Sequence, residues 1–541
     1  MAYLTAPIAA RRGDDVALTD EEGSCTWRAF DQRVNRLIRA LRAGGLQPGD
    51  RLALFAGNQR AVYELMAAAH HAGLSCVPVN WHFTPDELAH VLTDSGAAAL
   101  FTDHALLSTA EEALRRAPAA AQTLRLRLCA MQGDAPPPGA GAQTAFTDFD
   151  SFLAGEPDTS EPEGQAVGGP MFYTSGTTGR PKGVLKVSPG PPPALESLRA
   201  TMEAATAMLQ LPRAGTALLA GPYYHSAQWS FSFMPLMAGS SLVMKRRFDA
   251  AQTLALIDAH RITHVHLVPT QFIRLLRLPP EVKRSFSGAS LVRVWHGAAP
   301  CPPESKRAMI DWWGPCIHEY YGSTEGAVVT GISSAEWLER PGSVGRAISQ
   351  SDIHILREDG SAAPAGEPGT IYLRHRRGVA LRYHNDPEKT EAAHHGAGLF
   401  TTGDVGWLDA EGYLFLTDRK IDMIISGGVN IYPAEIEAVL ATHAAVQDVA
   451  VIGVPDAEFG ERVLAIVQLL PEAAARLQMS EGDAGAAALR SALEQHCRAA
   501  LAGYKVPRAF EFRSDFPRTE TGKLQKRLLR EPYWAASGRR I

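Results

Sequence analysis

The fold is decided by the stretch MFYTSGTTGRPKG, residues 171–183. Its apolar start has the character of a β-strand, and glycines, hydroxyl side chains and one lysine follow. Glycine lets the backbone approach a ligand closely, and the hydroxyls, the free N–H groups and the charge of Lys182 suit a polyphosphate. Pro181 before the lysine and Gly183 after it exclude the GxxxxGK[ST] P-loop. A mobile surface loop is the alternative for such a run taken alone.

Upstream and downstream of this stretch, short apolar runs alternate with segments of helical periodicity. The alternation predicts parallel strands covered by helices, which is an α/β fold. The strands are predicted at Leu52–Ala56, Ser75–Val79, Ala97–Thr102, Val265–Val268 and Leu291–Trp295.

The chain of 541 residues is too long for one hydrophobic core, so at least two domains are expected. After Asp418 a new pattern begins, with a glycine pair, a short amphipathic helix and two further strands. We therefore predict a large N-terminal domain, residues 1–417, made of parallel-type sheets covered by helices. Residues 418–541 are predicted to form a small, mobile α+β domain.

Composition and charge predict a globular protein of the cytoplasm. Hydrophobic residues make up 45% and charged residues 21%, and the net charge is −5. This charge gives no reason to expect a nucleic-acid partner, and no apolar segment is long enough to predict a transmembrane helix. The six cysteines are scattered, which favours reduced thiols over a disulfide framework. No heptads are seen, so the oligomeric state is left open, a homodimer included.

The stretch TSGTTGRPKG resembles the signature of the acyl-adenylate-forming superfamily, which includes acyl-CoA synthetases, adenylation domains of peptide synthetases and beetle luciferases. Further motifs follow in the family's order, so the resemblance extends over nearly the whole chain. It implies a loop that holds the phosphates of ATP. The ATP-binding positions implied in this loop are Thr174, Ser175, Gly176, Thr177, Thr178, Gly179 and Lys182.

A second motif, YYGSTE at residues 320–325, resembles the family's YGxTE segment. The resemblance implies that Thr324 donates to the α-phosphate. It also implies that Glu325 is a ligand of Mg²⁺, a hard cation that takes few protein carboxylates beside its phosphate oxygens. The ATP-binding positions implied around this motif are Glu319, Tyr320, Tyr321, Gly322, Ser323 and Thr324.

The nucleoside of ATP is assigned by the same resemblance to two other segments. In the TGD motif at residues 402–404, Asp404 would accept hydrogen bonds from the ribose hydroxyls, and Arg419 matches the second ribose contact. The segment GAAP would border adenine and the acyl group, where small residues leave room for a flat ring. Its positions are Gly297, Ala298, Ala299 and Pro300.

The resemblance places the catalytic lysine in PRTETGK, residues 517–523. The ammonium of Lys523 would bridge the substrate carboxylate and the α-phosphate and neutralise charge that builds in the transition state. His225 in PYYH would gate the path to the carboxylate, and a purely structural histidine is the alternative. The implied catalytic set is Lys523, Thr324, Glu325 and His225.

The acyl pocket is implied at His225, Ser226, Gln228 and Trp229, together with Gly297. Peptide-synthetase domains that take α-amino acids usually carry an Asp in this region to pair the ammonium. This chain has Gln228 and no acid there. An uncharged pocket around Trp229 favours fatty or aromatic acids as the small-molecule substrate.

A second half-reaction is implied by the segment after Asp418. In the family the C-terminal domain swings and presents a glycine loop, here Gly427 and Gly428, beside which the pantetheine arm of coenzyme A reaches the adenylate. The usual hinge position has Asp or Lys, whereas this chain has Ile421. Either the pivot is shifted by one residue or the hinge tolerates an apolar side chain.

The implied reaction converts an acid, ATP and CoA into acyl-CoA, AMP and pyrophosphate. Loading the acyl group onto the phosphopantetheine of a carrier protein is the alternative, although no carrier domain is expected after Lys523. A non-catalytic nucleotide-binding scaffold is a remote alternative, because it predicts the loss of charged site residues that this chain retains.

Overall fold

The computed structural model describes residues 2–130, 146–158, 164–175, 181–189, 194–348, 350–396, 398–419, 422–426, 429–456, 458–479, 483–518 and 524–535. Helices cover the sheets as the sequence predicts. In the N-terminal part they span Ala6–Arg12, Trp27–Ala43, Arg60–Ala72, Pro85–Ser95, Leu107–Arg116, Pro118–Thr123, Phe149–Leu153, Leu195–Met208, Ser226–Met237, Ala250–Ala259, Pro269–Leu276, Pro280–Ser285, Pro303–Trp313, Ser334–Glu339 and Pro387–Ala393.

The first sheet is parallel at each of its pairings. Its central strands are apolar and buried on both faces, which is the pattern of a sheet covered by helices. The α/β prediction is therefore confirmed, with strand ends displaced by one or two residues. Its strands, in spatial order, are Thr147–Asp148, Leu126–Ala130, Ala99–Asp103, Arg51–Phe55, Ser75–Pro78 and Gly169–Pro170.

The second sheet has a parallel part and an antiparallel part. The antiparallel strand Gly23–Thr26 borders the parallel part at its outer edge. The parallel strands, in spatial order, are Val16–Asp20, Ser241–Met244, Thr216–Leu219, His264–Leu267, Arg293–His296 and Ile317–Glu319. The antiparallel strands continue with Thr330–Ser333, Ser343–Ala347, Tyr413–Arg419, Asp404–Leu408, Gly369–His375, Leu399–Phe400 and His394–His395, and Ser351–Leu356 pairs with Gly369–His375.

Five elements around the motif loops are labelled here. The strands His264–Leu267, Arg293–His296 and Ile317–Glu319 are β1, β2 and β3, and the helices Ser226–Met237 and Pro303–Trp313 are α1 and α2. Two small sheets lie beside them. One contains Phe172–Ser175, Pro181–Val187 and Ala380–Tyr383, and the other contains Gly322–Ser323 and Ala327–Val328.

The C-terminal part has its own sheet and its own apolar core, which confirms the predicted α+β domain. Its strands are Ile424–Ser426, Val429–Ile431, Val446–Asp456, Gly460–Leu469 and Ala509–Phe512, and its helices are Pro433–Ala441, Pro471–Met479, Asp483–Ala500 and Lys526–Ala535. The strand Tyr413–Arg419 belongs to the second sheet up to Arg419, which is one residue beyond the predicted boundary at 417/418. The exact domain boundary therefore stays a prediction. Over the described ranges, none of the helices combines the length and apolarity that crossing a bilayer requires.

Candidate active site

The motif loops begin where neighbouring parallel strands end. His296 is the last residue of β2 and leads into GAAP, and Glu319 is the last residue of β3 and leads into YYGSTE. The strands are in register, with His296 opposite Glu319. Because the carboxyl ends of parallel strands open at one edge of the sheet, the two loops lie side by side where ligands of such sheets bind.

Gly297 lies so close to Tyr320 that no larger residue fits. A Cβ atom at position 297 would be 2.6 Å from Cε1 of Tyr320 and 2.7 Å from its carbonyl oxygen. The next residue, Ala298, has a φ of +66°, in the left-handed region that side chains rarely adopt. The GAAP segment therefore makes a tight backbone turn against the YYGSTE loop, and its place beside adenine stays a prediction.

The YYGSTE loop also touches the helix that follows PYYH. The hydroxyl oxygens of Thr324 and Ser226 are 2.9 Å apart, and Ser226 is the first residue of α1. Glu325 accepts a hydrogen bond of 3.1 Å from the phenol of Tyr383. The structure thus brings the predicted phosphate-side residue Thr324 to the predicted acyl-side residue Ser226.

Lys182 lies on the strand that pairs with Tyr383's strand, and its ammonium forms an ion pair with Asp386. The other carboxylate oxygen of Asp386 accepts a hydrogen bond of 2.9 Å from the backbone N–H of Lys389. Asp386 thereby caps the N-terminus of the helix Pro387–Ala393. The hydrogen bond from Lys182 lowers the pKa of Asp386. On the adjacent strand, Thr174 is the backbone neighbour of Lys182, and Ser175 is the next residue.

The predicted ribose residues are paired across two antiparallel strands, with Asp404 opposite Arg419. One carboxylate oxygen of Asp404 accepts hydrogen bonds from the phenol of Tyr321 at 2.7 Å and from the hydroxyl of Thr402 at 2.8 Å. Tyr321 belongs to the YYGSTE loop. The TGD and YYGSTE motifs therefore meet at Asp404, and their donors hold the carboxylate before any ligand is considered.

The PYYH loop is fixed by Asn58, which sequence reasoning missed as a site residue. Its side-chain amide donates to the carbonyls of Gly221 at 3.1 Å and Lys245 at 2.9 Å, and its oxygen accepts from the N–H of Tyr223 at 3.0 Å. His225 then occupies the position before α1, with its ring 4.5 Å from that of Tyr224. The predicted gating histidine is thus held at the start of the helix.

Trp229 packs in an aromatic group on one side of α1. Its ring centroid lies 6.0 Å from that of His70, 5.2 Å from Phe233 and 5.8 Å from Phe172. Its indole N–H is buried without a hydrogen-bond partner in the described part of the chain. Phe233 and Phe172 thus give Trp229 apolar neighbours beside His70, and the acyl pocket at Trp229 stays a prediction.

Gln228 points to the other side of α1 and starts a buried hydrogen-bonded chain. Its Nε2 atom is 3.0 Å from Nδ1 of His266, and Nε2 of His266 is 3.0 Å from the phenol oxygen of Tyr320. Burial lowers the pKa of His266 to about 3, so the imidazole is neutral. The sequence offers only the alternation HVHL in β1 as a signal for His266, which is too weak to single it out.

Glu319 is turned away from Tyr320, its neighbour in the chain. Its carboxylate lies 2.5 Å from Nζ of Lys306 in α2 and 3.7 Å from Nε2 of His296. Burial raises the pKa of Glu319, although the charge of Lys306 opposes the rise. The structure therefore does not bring the Glu319 side chain to Thr324 and Ser226, and it reveals Lys306 as the partner that the motif reading missed.

The remaining predicted site residues fall outside the described ranges. They are Gly176, Thr177, Thr178 and Gly179 of the glycine loop, Ile421 at the hinge, Gly427 and Gly428 of the C-terminal glycine pair, and Lys523. The backbone of Arg419 is described, and it ends the strand opposite Asp404.

Known protein families match most of the chain. A family model described as AMP-binding enzyme matches residues 6–384, and one described as AMP-binding enzyme C-terminal domain matches residues 435–523. A feruloyl-CoA synthase of Amycolatopsis sp is 33% identical over 512 residues, covering 94% of both chains. A fatty acid–[acyl-carrier-protein] ligase, ScoC of Streptomyces coeruleorubidus, is 30% identical over 547 residues, covering 97% of this chain and 95% of that one.

Solved structures share the architecture. The o-succinylbenzoate CoA synthetase MenE of Bacillus subtilis, in complex with the acyl-adenylate intermediate OSB-AMP, superposes with a TM-score of 0.76 at 25% identity and covers 98% of each chain. The superposition spans both the large and the small domain.

Proposed function

The chain belongs to the AMP-binding enzymes of the acyl-adenylate-forming superfamily, and we propose from this premise how its residues divide the work of an AMP-forming acid–thiol ligase. Such a ligase joins a carboxylic acid to AMP with release of pyrophosphate and then transfers the acyl group to the thiol of coenzyme A. The first step is needed because the negative charge of a carboxylate repels nucleophiles, whereas AMP is a good leaving group.

The observation that carries the proposal is the 2.9 Å contact between Ser226 and Thr324. It sets the acid-side helix directly against the phosphate-side loop, so a carboxylate bound at the start of α1 would face an α-phosphate held by Thr324. Placing the two reactants in line in this way removes most of the entropy barrier of their encounter. His225, the residue before Ser226, would border the incoming carboxylate.

The phosphates would be held by the glycine loop and Lys182. Lys182 is already beside Asp386, so ATP would exchange one anionic partner for another. In the described part of the chain, no cluster of three or more His, Cys, Asp or Glu side chains could hold a metal by itself. Mg²⁺ binds through one or two carboxylates and takes its other ligands from phosphates and water, and Glu325 is the proposed protein ligand. Bound there, the ion would neutralise charge on the departing pyrophosphate.

The nucleoside would lie between the two loops and the paired strands. Asp404 would accept from the ribose hydroxyls with Arg419 opposite it, and the backbone of Gly297, Ala298, Ala299 and Pro300 would border adenine. Tyr321, whose phenol is tied to Asp404, would hold the base side of the same pocket.

Lys523 would act in the first half-reaction and the pair Gly427 and Gly428 in the second. We expect the ammonium of Lys523 to bridge the carboxylate and the α-phosphate, where positive charge is worth most in the transition state. The glycine pair would leave room for the pantetheine arm after the C-terminal domain has moved.

The test separates the two half-reactions. Lys523→Ala should lower acid-dependent pyrophosphate release about 10²- to 10³-fold. Thioester formation from supplied acyl-AMP and CoA should fall much less. The matched control is Lys526→Ala, three residues away, whose ammonium pairs with Glu437 at 2.8 Å and which should leave adenylation unchanged.

Two outcomes would overturn the assignment. Equal losses in both half-reactions would contradict separate roles for Lys523 and the glycine pair. No acid-dependent pyrophosphate release from a broad acid panel with ATP and Mg²⁺ would contradict the activity itself.

The acid is proposed to be fatty or aromatic, because the rings of Phe233 and Phe172 pack around Trp229 on this side of α1. The relative ScoC is named for a carrier protein, so thiol competition between CoA and a phosphopantetheinylated carrier should be measured, and we expect CoA to win. A cytoplasmic location is proposed from the six cysteines, all of which lie in described ranges as free thiols.

A further inference from the structure

The hydrogen-bonded chain of side chains Gln228–His266–Tyr320 has one donor-to-acceptor direction, which follows from the atoms that meet. The amide nitrogen of Gln228 lies 3.0 Å from Nδ1 of His266 and 3.4 Å from the carbonyl oxygen of the same residue. A carbonyl can only accept, so the NH₂ end of the amide, and not its oxygen, faces His266. The amide therefore donates to Nδ1 as well.

An imidazole that accepts at Nδ1 carries its proton at Nε2. His266 is 1% exposed and neutral, so it has one proton to place. Nε2–H then donates to the phenol oxygen of Tyr320, 3.0 Å away. The phenol is thereby an acceptor in the chain, and its own proton must be directed to another group.

Among the described residues, this proton has no acceptor. Tyr320 makes a single side-chain hydrogen bond there, the one from His266, and the residue is 5% exposed. Buried donors in folded proteins are nearly always satisfied, because an unpaired one keeps the full cost of leaving water. The open end of the chain therefore calls for an acceptor that the described protein does not supply.

The phenol lies in an apolar cluster on the side of α1 opposite Trp229, next to Gly297 and linked through His266 to Gln228, two of the predicted acyl-pocket residues. The ring of Tyr320 packs at 5.5 Å from Phe231 of α1 and at 6.3 Å from Trp295 of β2, and against Gly297. The apolar residues of this cluster are Leu209, Leu211, Phe231, Trp295, Met208, Ala227 and Val328. These apolar side chains would be compatible with an aryl or alkyl group, and Tyr320 would be the polar group among them.

We propose that the phenol of Tyr320 donates a hydrogen bond to the acyl group, and that the enzyme selects acids bearing an ether, carbonyl or phenol oxygen on an apolar body over plain hydrocarbon acids. This rests on the proposed acid–thiol ligase function. A site built to bond an oxygen rejects an isostere that lacks it, because the buried partner is then left unpaired. The expected preference in kcat/KM is about 10- to 100-fold.

The experiment uses the full-length enzyme and acids matched in shape. The 2-, 3- and 4-methoxycinnamates are compared with the corresponding ethylcinnamates by pyrophosphate release. Wild type should prefer the methoxy acid about 10-fold or more at one ring position. Tyr320→Phe should reduce that ratio to within about 3-fold, because activity on the methoxy acid falls more than activity on the ethyl acid.

Two further variants separate recognition from folding. Tyr63→Phe removes another buried phenol bonded to α1, 2.7 Å from the hydroxyl of Ser232, and should keep the preference. The triple variant Gln228→Met, His266→Phe and Tyr320→Phe removes all three side chains of the hydrogen-bonded chain, so it should unfold closer to the wild-type midpoint than Tyr320→Phe does and still lack the preference.

The inference is overturned if wild type treats each methoxy and ethyl pair alike, or if Tyr320→Phe lowers activity on both acids equally. Turnover of the acids without discrimination would sink this inference and leave the ligase function standing. Failure to release pyrophosphate with any acid would instead sink the proposed function.

Discussion

The two faces of β1, β2 and β3 carry buried polar groups of opposite kinds. On the face toward α1, His266 leads to Tyr320 through neutral hydrogen bonds, and the chain ends at a proton without a described acceptor. On the face toward α2, Glu319 is closed by an ion pair with Lys306. Glu319 and Tyr320 are neighbours in sequence, yet they serve these two different faces.

The difference follows from the alternation of side chains along a strand. Successive residues point to opposite faces, so the end of β3 sends its carboxylate to α2 and the next ring to α1. The ion pair is a closed unit. The ammonium of Lys306 is fully buried and also lies 4.6 Å from the ring of Trp337. One strand end thus anchors the sheet on one side and faces the proposed acid pocket on the other.

Acid should destabilise the face toward α1, and we expect this to be the largest effect. Burial lowers the pKa of His264 and of His266 to about 3, below the ordinary value near 6.5. Between these values the unfolded chain binds more protons, so the free energy of unfolding falls as pH drops. From pH 7 to pH 5 these two groups alone should remove on the order of 4 kcal/mol.

Thermal unfolding of the N-terminal domain at pH 7, 6 and 5 measures this loss. His264→Leu removes one titrating group and should flatten the dependence. The ratio of kcat/KM for matched acids should stay constant from pH 8 to pH 6, because His266 does not titrate there. A midpoint independent of pH would contradict the neutral histidines.

Lys306→Met should lower the stability of the protein through the face toward α2 alone. It leaves the Glu319 carboxylate buried without its partner, which costs about 3–5 kcal/mol in comparable pairs. Urea unfolding of the N-terminal domain should show the lower midpoint. The double variant Lys306→Met with Glu319→Leu should recover most of it, since no charge is then left buried. A single variant as stable as wild type would show that the pair does not hold the strand ends.

Gln228→Met should weaken the hydrogen-bonded chain on the face toward α1. The substitution keeps the size of the side chain but removes the donor that fixes the tautomer of His266, so Tyr320 can spend part of its time donating to His266. We expect the preference for oxygen-bearing acids to narrow about 5-fold, less than in Tyr320→Phe. A change in the KM for ATP as large as the change in acid preference would argue against a role confined to the acid side.

Asp386→Asn should have the smallest effect of these substitutions on stability. It tests the difference between a partly exposed ion pair and the buried pair of Lys306 and Glu319. Lys182 and Asp386 are both partly exposed, at 20% and 23%, and such pairs add little to stability. Asn retains the helix cap and releases Lys182, so the KM for ATP should fall about 2- to 5-fold while the unfolding midpoint stays unchanged. Asp352→Asn, an equally exposed partner of Arg374, is the matched control and should leave the KM unchanged.

Patterns over a few consecutive residues were enough to predict the strands and the motif loops, because both depend on neighbours in sequence. The apolar runs located the strands, and the motif loops were found because their residues are contiguous. The partners His266 and Lys306 were missed because they meet Tyr320 and Glu319 only through sheet register and helix packing. Glu319 was grouped with the nucleotide residues because a motif gives order along the chain but not the face to which a side chain turns.

The hydroxyl contact between Ser226 and Thr324 has a consequence for protein engineering. Redesigning the range of acids through α1 would move Ser226 and with it Thr324, so variants on this helix should change their handling of ATP together with their choice of acid. Leu209 and Leu211 belong to the apolar cluster around Tyr320 but come from a segment outside α1. Libraries at these two leucines should therefore retune the acid while leaving nucleotide use intact.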